Sequence, residues 1–222
     1  VIIPARAGSV RIKNKNLKKL KNLPIILETI KKVKKMKIFD KIYFSTDSMK
    51  IAKLVRKYGA IVPFIRSKKL SNSHASTNAV IKDFISKTEK TTNLNLICCI
   101  YPTSIFITKD MIKKGMSKLS KGVDFSFAAT NYSYPVQKSF KILNNKPKLI
   151  FKKYMFFRSQ DLQNIYHDAA QFYIGHKEKW KNKKFTIDNK SYPILIQNSK
   201  VQDIDTIDDW EIARLKFQLL SD

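Results

Sequence analysis

Val1-Ile2-Ile3-Pro4-Ala5-Arg6-Ala7-Gly8-Ser9-Val10-Arg11-Ile12-Lys13-Asn14-Lys15-Asn16 opens the chain. Consecutive β-branched apolar residues read as the middle of a buried strand, and the small and cationic residues behind them read as the loop at its carboxyl end. Because Val1 already lies mid-strand, the sequence is expected to begin a residue or two inside the protein. Working outward, apolar runs at 41–45, 61–65, 96–101 and 125–130 are further candidate strands. Between them, residues 24–36, 48–58, 77–89 and 109–119 repeat apolar side chains at three- and four-residue spacing, the period of an amphipathic helix. The order is βαβαβαβαβ. It predicts an α/β fold with a mostly parallel central sheet, helices on both faces, and ligands held at the carboxyl ends of the strands.

From 136 to 193 the alternation breaks into Lys/Asn turns, an aromatic stretch, a strand over 171–175 and a helix from about 177. This span reads as a small inserted region within a single 1–222 domain. Regularity returns with an extended 194–204 and a helix over 208–219, where Thr206 and Asp209 form a capping-box-like start.

The 222 residues are 43% hydrophobic and 27% charged, enough to bury one core, which excludes collagen-like and wholly disordered classes. Lys+Arg outnumber Asp+Glu by 44 to 17, giving +27, a balance that suits phosphorylated or other anionic partners. The lysines are scattered through every segment rather than gathered into a tract. Cys98 and Cys99 are adjacent in an apolar run, so on a strand they point to opposite faces and form no ordinary mutual disulfide. No secretion signal and no apolar run of bilayer length is visible, which predicts action away from membranes.

Three stretches carry chemistry. In the opening loop, small residues Ala5, Ala7, Gly8 and Ser9 let a ligand approach backbone N–H groups, while Arg6, Arg11, Lys13 and Lys15 supply cations. The composition is that of a polyphosphate cradle, without the Gly-Lys-Ser/Thr ending of a Walker loop or the glycines of a dinucleotide fingerprint. Near the end, Asp203 and Asp205 stand two apart on an extended segment, on one face, with Cα atoms roughly 6.5 to 7 Å apart. Paired oxygen ligands of this kind suit Mg²⁺, which keeps waters and shares itself with substrate phosphates. The third stretch, Arg158-Ser159-Gln160-Asp161-Leu162 with Tyr166-His167-Asp168-Ala169-Ala170-Gln171-Phe172-Tyr173, sets polar groups among aromatics, suiting a ligand with carboxylate, hydroxyl and acetamido groups. Weaker singly, Ser45-Thr46-Asp47, Arg66, Ala75-Ser76-Thr77 and Tyr101-Pro102-Thr103-Ser104 fall where such a sheet presents its ligand edge.

On these residues the chain resembles the cytidylyltransferases that activate nonulosonic (sialic-type) acids, nearly end to end, through Pro4–Ser9, 45–47, 101–104 and 202–206. Tyr134-Pro135-Val136-Gln137 and the 158–162 and 166–173 stretches are similar to the pseudaminic acid branch. The resemblance implies a Rossmann-like nucleotide-diphospho-sugar transferase fold. It further implies transfer of CMP from CTP to the acid with release of pyrophosphate, Mg²⁺ as cofactor, a homodimer, and a cytoplasmic setting supplying flagellin or surface-polysaccharide glycosylation. Site roles follow by the same match. The loop residues Ala5, Arg6, Ala7, Gly8, Ser9, Arg11, Lys15 and Asn16, with Arg66, Ala75 and Thr77, would serve the nucleotide. Tyr101, Arg158, Ser159, Gln160, Asp161, His167, Asp168 and Gln171 would serve the sugar, and Asp203 and Asp205 the metal. Arg6, Lys15 and the two aspartates would act in catalysis. Members commonly carry Lys after the Gly-Ser of the opening loop, where this chain has Val10, and Pro where it has Lys13. Arg11 or Lys13 is expected to supply the missing phosphate contact.

Two rivals stand beside this reading. One keeps the fold and changes the acceptor to legionaminic or sialic acid. The other is a basic nucleic-acid-binding protein, motivated by the charge and by Phe151-Lys152-Lys153-Tyr154, against which stands the lack of any zinc finger, ribonucleoprotein motif or helix-turn-helix.

Overall fold

The computed structural model describes residues 1–9, 11–120 and 122–220. Strands β1 (Ile2–Pro4), β2 (Tyr43–Ser45), β3 (Leu96–Ile100), β4 (Phe125–Asn131), β7 (Tyr166–His176) and β8 (Ser191–Leu195) form one sheet in the order β2-β1-β3-β7-β4-β8. A two-stranded hairpin of β5 (Phe140–Leu143) and β6 (Lys146–Leu149) stands apart from it. The sheet is mostly parallel, as expected: β1 runs parallel to β2 and β3, and β4 parallel to β8. The exception is β7, antiparallel to both β3 and β4 and lying between them.

Helices α1 (Ile25–Met36), α2 (Met49–Lys57) and α4 (Lys109–Ser117) cover one face, α3 (Thr77–Thr88) and α5 (Lys177–Asn182) the other, and α6 (Ile207–Leu220) closes one end. The pleat sorts the core between these layers. Ile3, Phe44, Cys98 and Phe172 pack with α1 and α2, while their chain neighbours Ile2, Tyr43, Cys99 and Tyr173 pack with Phe84 of α3 and Trp180 of α5. Both cysteines are buried and free, on opposite faces.

Two expectations are corrected. Residues 61–65 form no strand, only single bridges of Ile61 to Tyr43 and Ile65 to Thr46. Pro63 between them has no N–H to donate, so a ladder cannot run through it. The strand expected over 171–175 is eleven residues long and belongs to the main sheet, so the 136–193 span is divided: its hairpin and turns stand outside the sheet, while β7 and β8 are part of it. The hairpin turns on Asn144 and Asn145, both at positive φ (50° and 60°), where asparagine is the most tolerant residue after glycine. Thr206 caps α6 as expected: Asp209 N–H donates to its Oγ1 (3.1 Å) and its own N–H donates to Asp209 Oδ2 (2.8 Å). No helix among the described residues is long and apolar enough to cross a membrane.

Where α5 meets the sheet, buried Asp124 is gripped by Lys179 (2.6 Å) and Lys183. Their hydrogen bonds hold its carboxyl below the usual range. A depressed carboxyl stabilises fully above the unfolded value of about 3.9, and the contribution is lost as pH falls through the lower, folded value. Asp124→Asn is therefore expected to lose about 1–2 kcal/mol at pH 7, allowing for screening of the half-exposed lysines. Urea titrations should show the gap to the unsubstituted protein closing below about pH 4.

Candidate active site

The sheet order reverses at β1 and β3: the chain leaves β1 for β2 on one side and returns to β3 on the other. Loops after adjacent strands diverge at such a point and leave a crevice. A cavity of about 590 Å³ lies there, walled by Arg6, Ser9, Arg11, Lys15 and Asn16 of the opening loop, by Arg66 and Asn72, by Ala75 and Thr77, by Tyr101 and Thr103, by Ala170, and by Asp203 and Asp205.

The opening loop is anchored at both ends. Ala5 N–H donates to Ser45 O (2.9 Å) and Ala7 N–H to Asp47 Oδ1 (2.8 Å), which gives Asp47 at the end of β2 a structural task. Asn16 is buried and donates through Nδ2 to Arg6 O (2.9 Å), while its Oδ1 has no partner among the described residues. Lys15 reaches across 189 positions of sequence to Ile204 O and stands 3.6 Å from Asp205. Arg11 pairs with Asp205 at 2.7 Å. A Cβ at Gly8 would meet nothing within 4 Å, and its φ is not in the left-handed region, so the protein's own packing does not demand glycine there.

Arg66 is buried, and its guanidinium donates to Ser45 O (3.2 Å) and Ser71 Oγ (3.1 Å). Burial pulls its pKa down, with the negative charge of Asp47 opposing. A guanidinium stays charged even so, and a buried cation at a cavity wall with no carboxylate bonded to it among the described residues is a strong anion site. Across the cavity Asp203 has its carboxyl raised, first by burial and then by the charge of Asp205. Ile204 N–H donates to its Oδ1 (2.9 Å).

These two carboxylates fit Mg²⁺. Their mutual repulsion in a partly desolvated place is relieved by a hard cation, and the donors are all oxygen. No group of three or more His, Cys, Asp or Glu that could hold a metal occurs among the described residues, so waters and ligand phosphates would have to supply the other positions, as Mg²⁺ prefers.

The structure thus brings together Arg6, Ser9, Arg11, Lys15, Asn16, Arg66, Ala75, Thr77, Tyr101, Asp203 and Asp205, which the sequence suggested separately. Other expected residues stand elsewhere. Arg158 and Asp161 pair with one another (2.8 Å) on an exposed turn. Ser159 and Gln160 line a second cavity of about 320 Å³, with Tyr132 and Gln137. His167 packs on Tyr132 (ring centroids 4.6 Å), with Nδ1 2.9 Å from Asp168 O. Both oxygens of Asp168 are engaged within the protein, and Gln171 is buried, its Oε1 without a partner among the described residues. Val10 lies outside the described residues, and Lys13 is exposed and off the cavity wall. Asn72 and Ala170 were not singled out from sequence. Asn72 has a local signature, since its Oδ1 accepts from the N–H groups of His74 and Ala75 (2.9 Å each) in an Asx turn.

A crevice of cations facing paired carboxylates at the switch point of a mostly parallel sheet defines a nucleotidyltransferase fold. The solved CMP:2-keto-3-deoxy-manno-octonic acid synthetase complexed with CTP superposes with a TM-score of 0.72 at 13% identity, over 99% of this chain and 98% of that one. Residues 1–209 match the cytidylyltransferase family, and the chain belongs to it. Among its relatives, pseudaminic acid cytidylyltransferase of Campylobacter jejuni is 36% identical over 221 residues, covering 98% of this chain and 95% of that one. CMP-N,N'-diacetyllegionaminic acid synthase of Legionella pneumophila is 26% identical over 98% and 95%.

Proposed function

We propose that this protein transfers CMP from CTP to the anomeric hydroxyl of a nonulosonic acid, pseudaminic acid, releasing pyrophosphate. The observation that carries the reading is the convergence of Arg6, Arg11, Lys15 and Arg66 with Asp203 and Asp205 in one crevice, in a chain 36% identical to a pseudaminic acid cytidylyltransferase.

The acceptor hydroxyl attacks the α-phosphorus in line with the departing pyrophosphate, and charge accumulates on the leaving oxygens. Arg6, Arg11 and Lys15 neutralise that charge, and Arg66 holds nucleotide oxygens from the wall. Fixed cations in a crevice need little reorganisation as the charge develops. The open space at Gly8 leaves room for a phosphate beside the loop, whose Ala5, Ala7 and Ser9 N–H groups are bonded within the protein. Asn16 Oδ1, buried and unpartnered, is an acceptor for a donor group of the nucleotide. Mg²⁺ held by Asp203 and Asp205 would polarise the phosphoryl oxygens and the attacking hydroxyl. No histidine lines the crevice among the described residues, so proton removal from the hydroxyl is assigned to no side chain.

The acceptor takes the Tyr101 and Ala170 end of the crevice. The 158–161 segment and His167 belong to the acceptor's recognition through a homodimer, in which a second copy covers the exposed apolar side chains of this region, Tyr134, Ile142 and Phe156 among them. Light scattering showing a monomer at micromolar concentration would remove that element. CTP is made inside cells, which supports a cytoplasmic setting for the reaction.

Arg11 lines the crevice and Lys13 does not, so Arg11 is the substitute for the family's lysine at position 10. Arg11→Ala should lower turnover roughly ten- to hundredfold, the worth of one charge-assisted contact, whereas Lys13→Ala should stay within about threefold. Steady-state rates of the two variants check this, and the reverse order would reassign the contact to Lys13.

The reading as a whole is tested by pyrophosphate release from CTP and Mg²⁺ with purified pseudaminic, legionaminic and sialic acids in parallel. Turnover with pseudaminic acid is expected. Turnover with either of the others and none with pseudaminic acid would overturn the choice of acceptor.

A further inference from the structure

Strand β7 carries an irregularity where it passes the crevice. Its pairing with β4 jumps from Phe127↔Tyr173 to Ala129↔Asp168, five residue steps on β7 against two on β4. Among the surplus residues Ala170 lines the cavity, while Ala169 and Gln171 are buried. Ala170 sits at φ 49°, in the left-handed region that an alanine occupies only under constraint. The constraint comes from Asp168: its Oδ1 accepts the Ala170 N–H (2.8 Å), an Asx-type closure two residues on, and its Oδ2 accepts the Tyr173 hydroxyl (2.6 Å). The turn then holds the opposite wall. The carbonyl of Gln171 accepts from Tyr101 N–H (3.1 Å) and Ser104 Oγ (2.7 Å), the Tyr101 ring packs on Tyr173 (centroids 5.6 Å), and the Tyr101 hydroxyl meets Thr77 Oγ1 at 2.6 Å.

We infer that Asp168 is a positioning residue: its carboxylate locks the left-handed turn at Ala170 and the Tyr173 hydroxyl, and so sets the Ala170–Tyr101 wall against which the acceptor lies. This departs from the expectation that Asp168 serves the sugar directly, since each of its oxygens already accepts a bond within the protein. The acceptor part rests on the proposed function; the locking of the turn does not.

The test combines hydrogen exchange with a rescue. In Asp168→Ala the Ala170 amide should lose protection at least tenfold while β3 and β4 amides keep theirs, whatever the activity of the protein. On kinetics, Asp168→Ala should lower kcat/KM for the acceptor roughly ten- to hundredfold, because a displaced wall misplaces the reacting hydroxyl, with the CTP dissociation constant changed less than about threefold. Ala170→Gly in the Asp168→Ala background should restore most of the loss, since glycine adopts this φ without the carboxylate. Asp168→Asn, which keeps an acceptor for the amide and can still bond the phenol, should be nearly unimpaired; it and Ala170→Gly alone serve if Asp168→Ala does not fold. Unchanged protection at Ala170 in Asp168→Ala overturns the locking role. An Asp168→Asn as damaged as Asp168→Ala, or no rescue by glycine, shows instead a carboxylate that contacts substrate, and an equal loss of CTP binding moves the wall's role to the nucleotide. A protein that turns over no nonulosonic acid refutes the proposed function, and the exchange measurement alone then decides the role of Asp168.

Discussion

Asp203→Asn and Asp205→Asn are each expected to lower turnover by about 10² to 10³-fold, the range seen when one preorganised electrostatic contact to a transition state is removed. Both substitutions keep side-chain shape and remove one negative charge from a like-charged pair. The two should nevertheless differ in binding. Asp205 pairs with Arg11 and stands near Lys15, so its loss frees two cations for the triphosphate, and CTP should bind the Asp205→Asn protein as tightly as before or more so. Among the described residues Asp203 makes no such pair; burial and its neighbour's charge outweigh the pull of Lys15 on it, so Asp203→Asn should leave CTP binding in the absence of metal nearly unchanged. Calorimetric titration with CTP, with and without Mg²⁺, separates the two effects from turnover. Near wild-type rates in both variants at limiting Mg²⁺ would show that the aspartates do not hold the metal.

The second large effect is on stability. Trp180 is fully buried although it comes from the six-residue α5, set edge-on to Phe125 at 5.0 Å, with its indole N–H toward Ile97 O (3.4 Å). It is the anchor by which a short helix, too short to persist alone, is held on the α3 face of the sheet. Trp180→Ala should cost about 3–5 kcal/mol, the transfer of a large aromatic plus the cavity it leaves. Phenylalanine in its place should cost less, because the edge-to-face contact can survive while the N–H bond is lost. The urea midpoint should fall with little change in slope. A loss below about 1 kcal/mol would mean that α5 contributes little to the cooperative unit.

Much of the architecture is local and was legible. The period-2 and period-3.6 patterns specify α1 to α4 to within one or two residues, the placing of Cys98 and Cys99 on opposite faces, and the capped start of α6, because each depends on neighbours a few positions apart. The cradle was legible too: Arg6, Arg11 and Lys15 share one loop and need only the strand before them to be aimed at a crevice. Long-range pairing is different in kind. That β7 runs antiparallel between β3 and β4 depends on contacts such as Cys99 with Tyr173, 74 positions apart, whose side chains fit either neighbour equally well in composition. The apolar run at 61–65 misled for the opposite reason, since Pro63 forbids the ladder that its neighbours favour. Residue types in the 158–173 stretch pointed to a polar ligand, yet the partners of its groups were decided by packing: Arg158 pairs with Asp161 on the surface, and Asp168 accepts from Ala170 and Tyr173 inside the protein. Sequence by itself determined the layers and the chemistry carried by each loop. Only the tertiary structure decided which loops share a cavity and which of their polar groups are already spent, because hydrogen-bond partners are set by proximity in space, and a sequence carries no distance between residues 15 and 204.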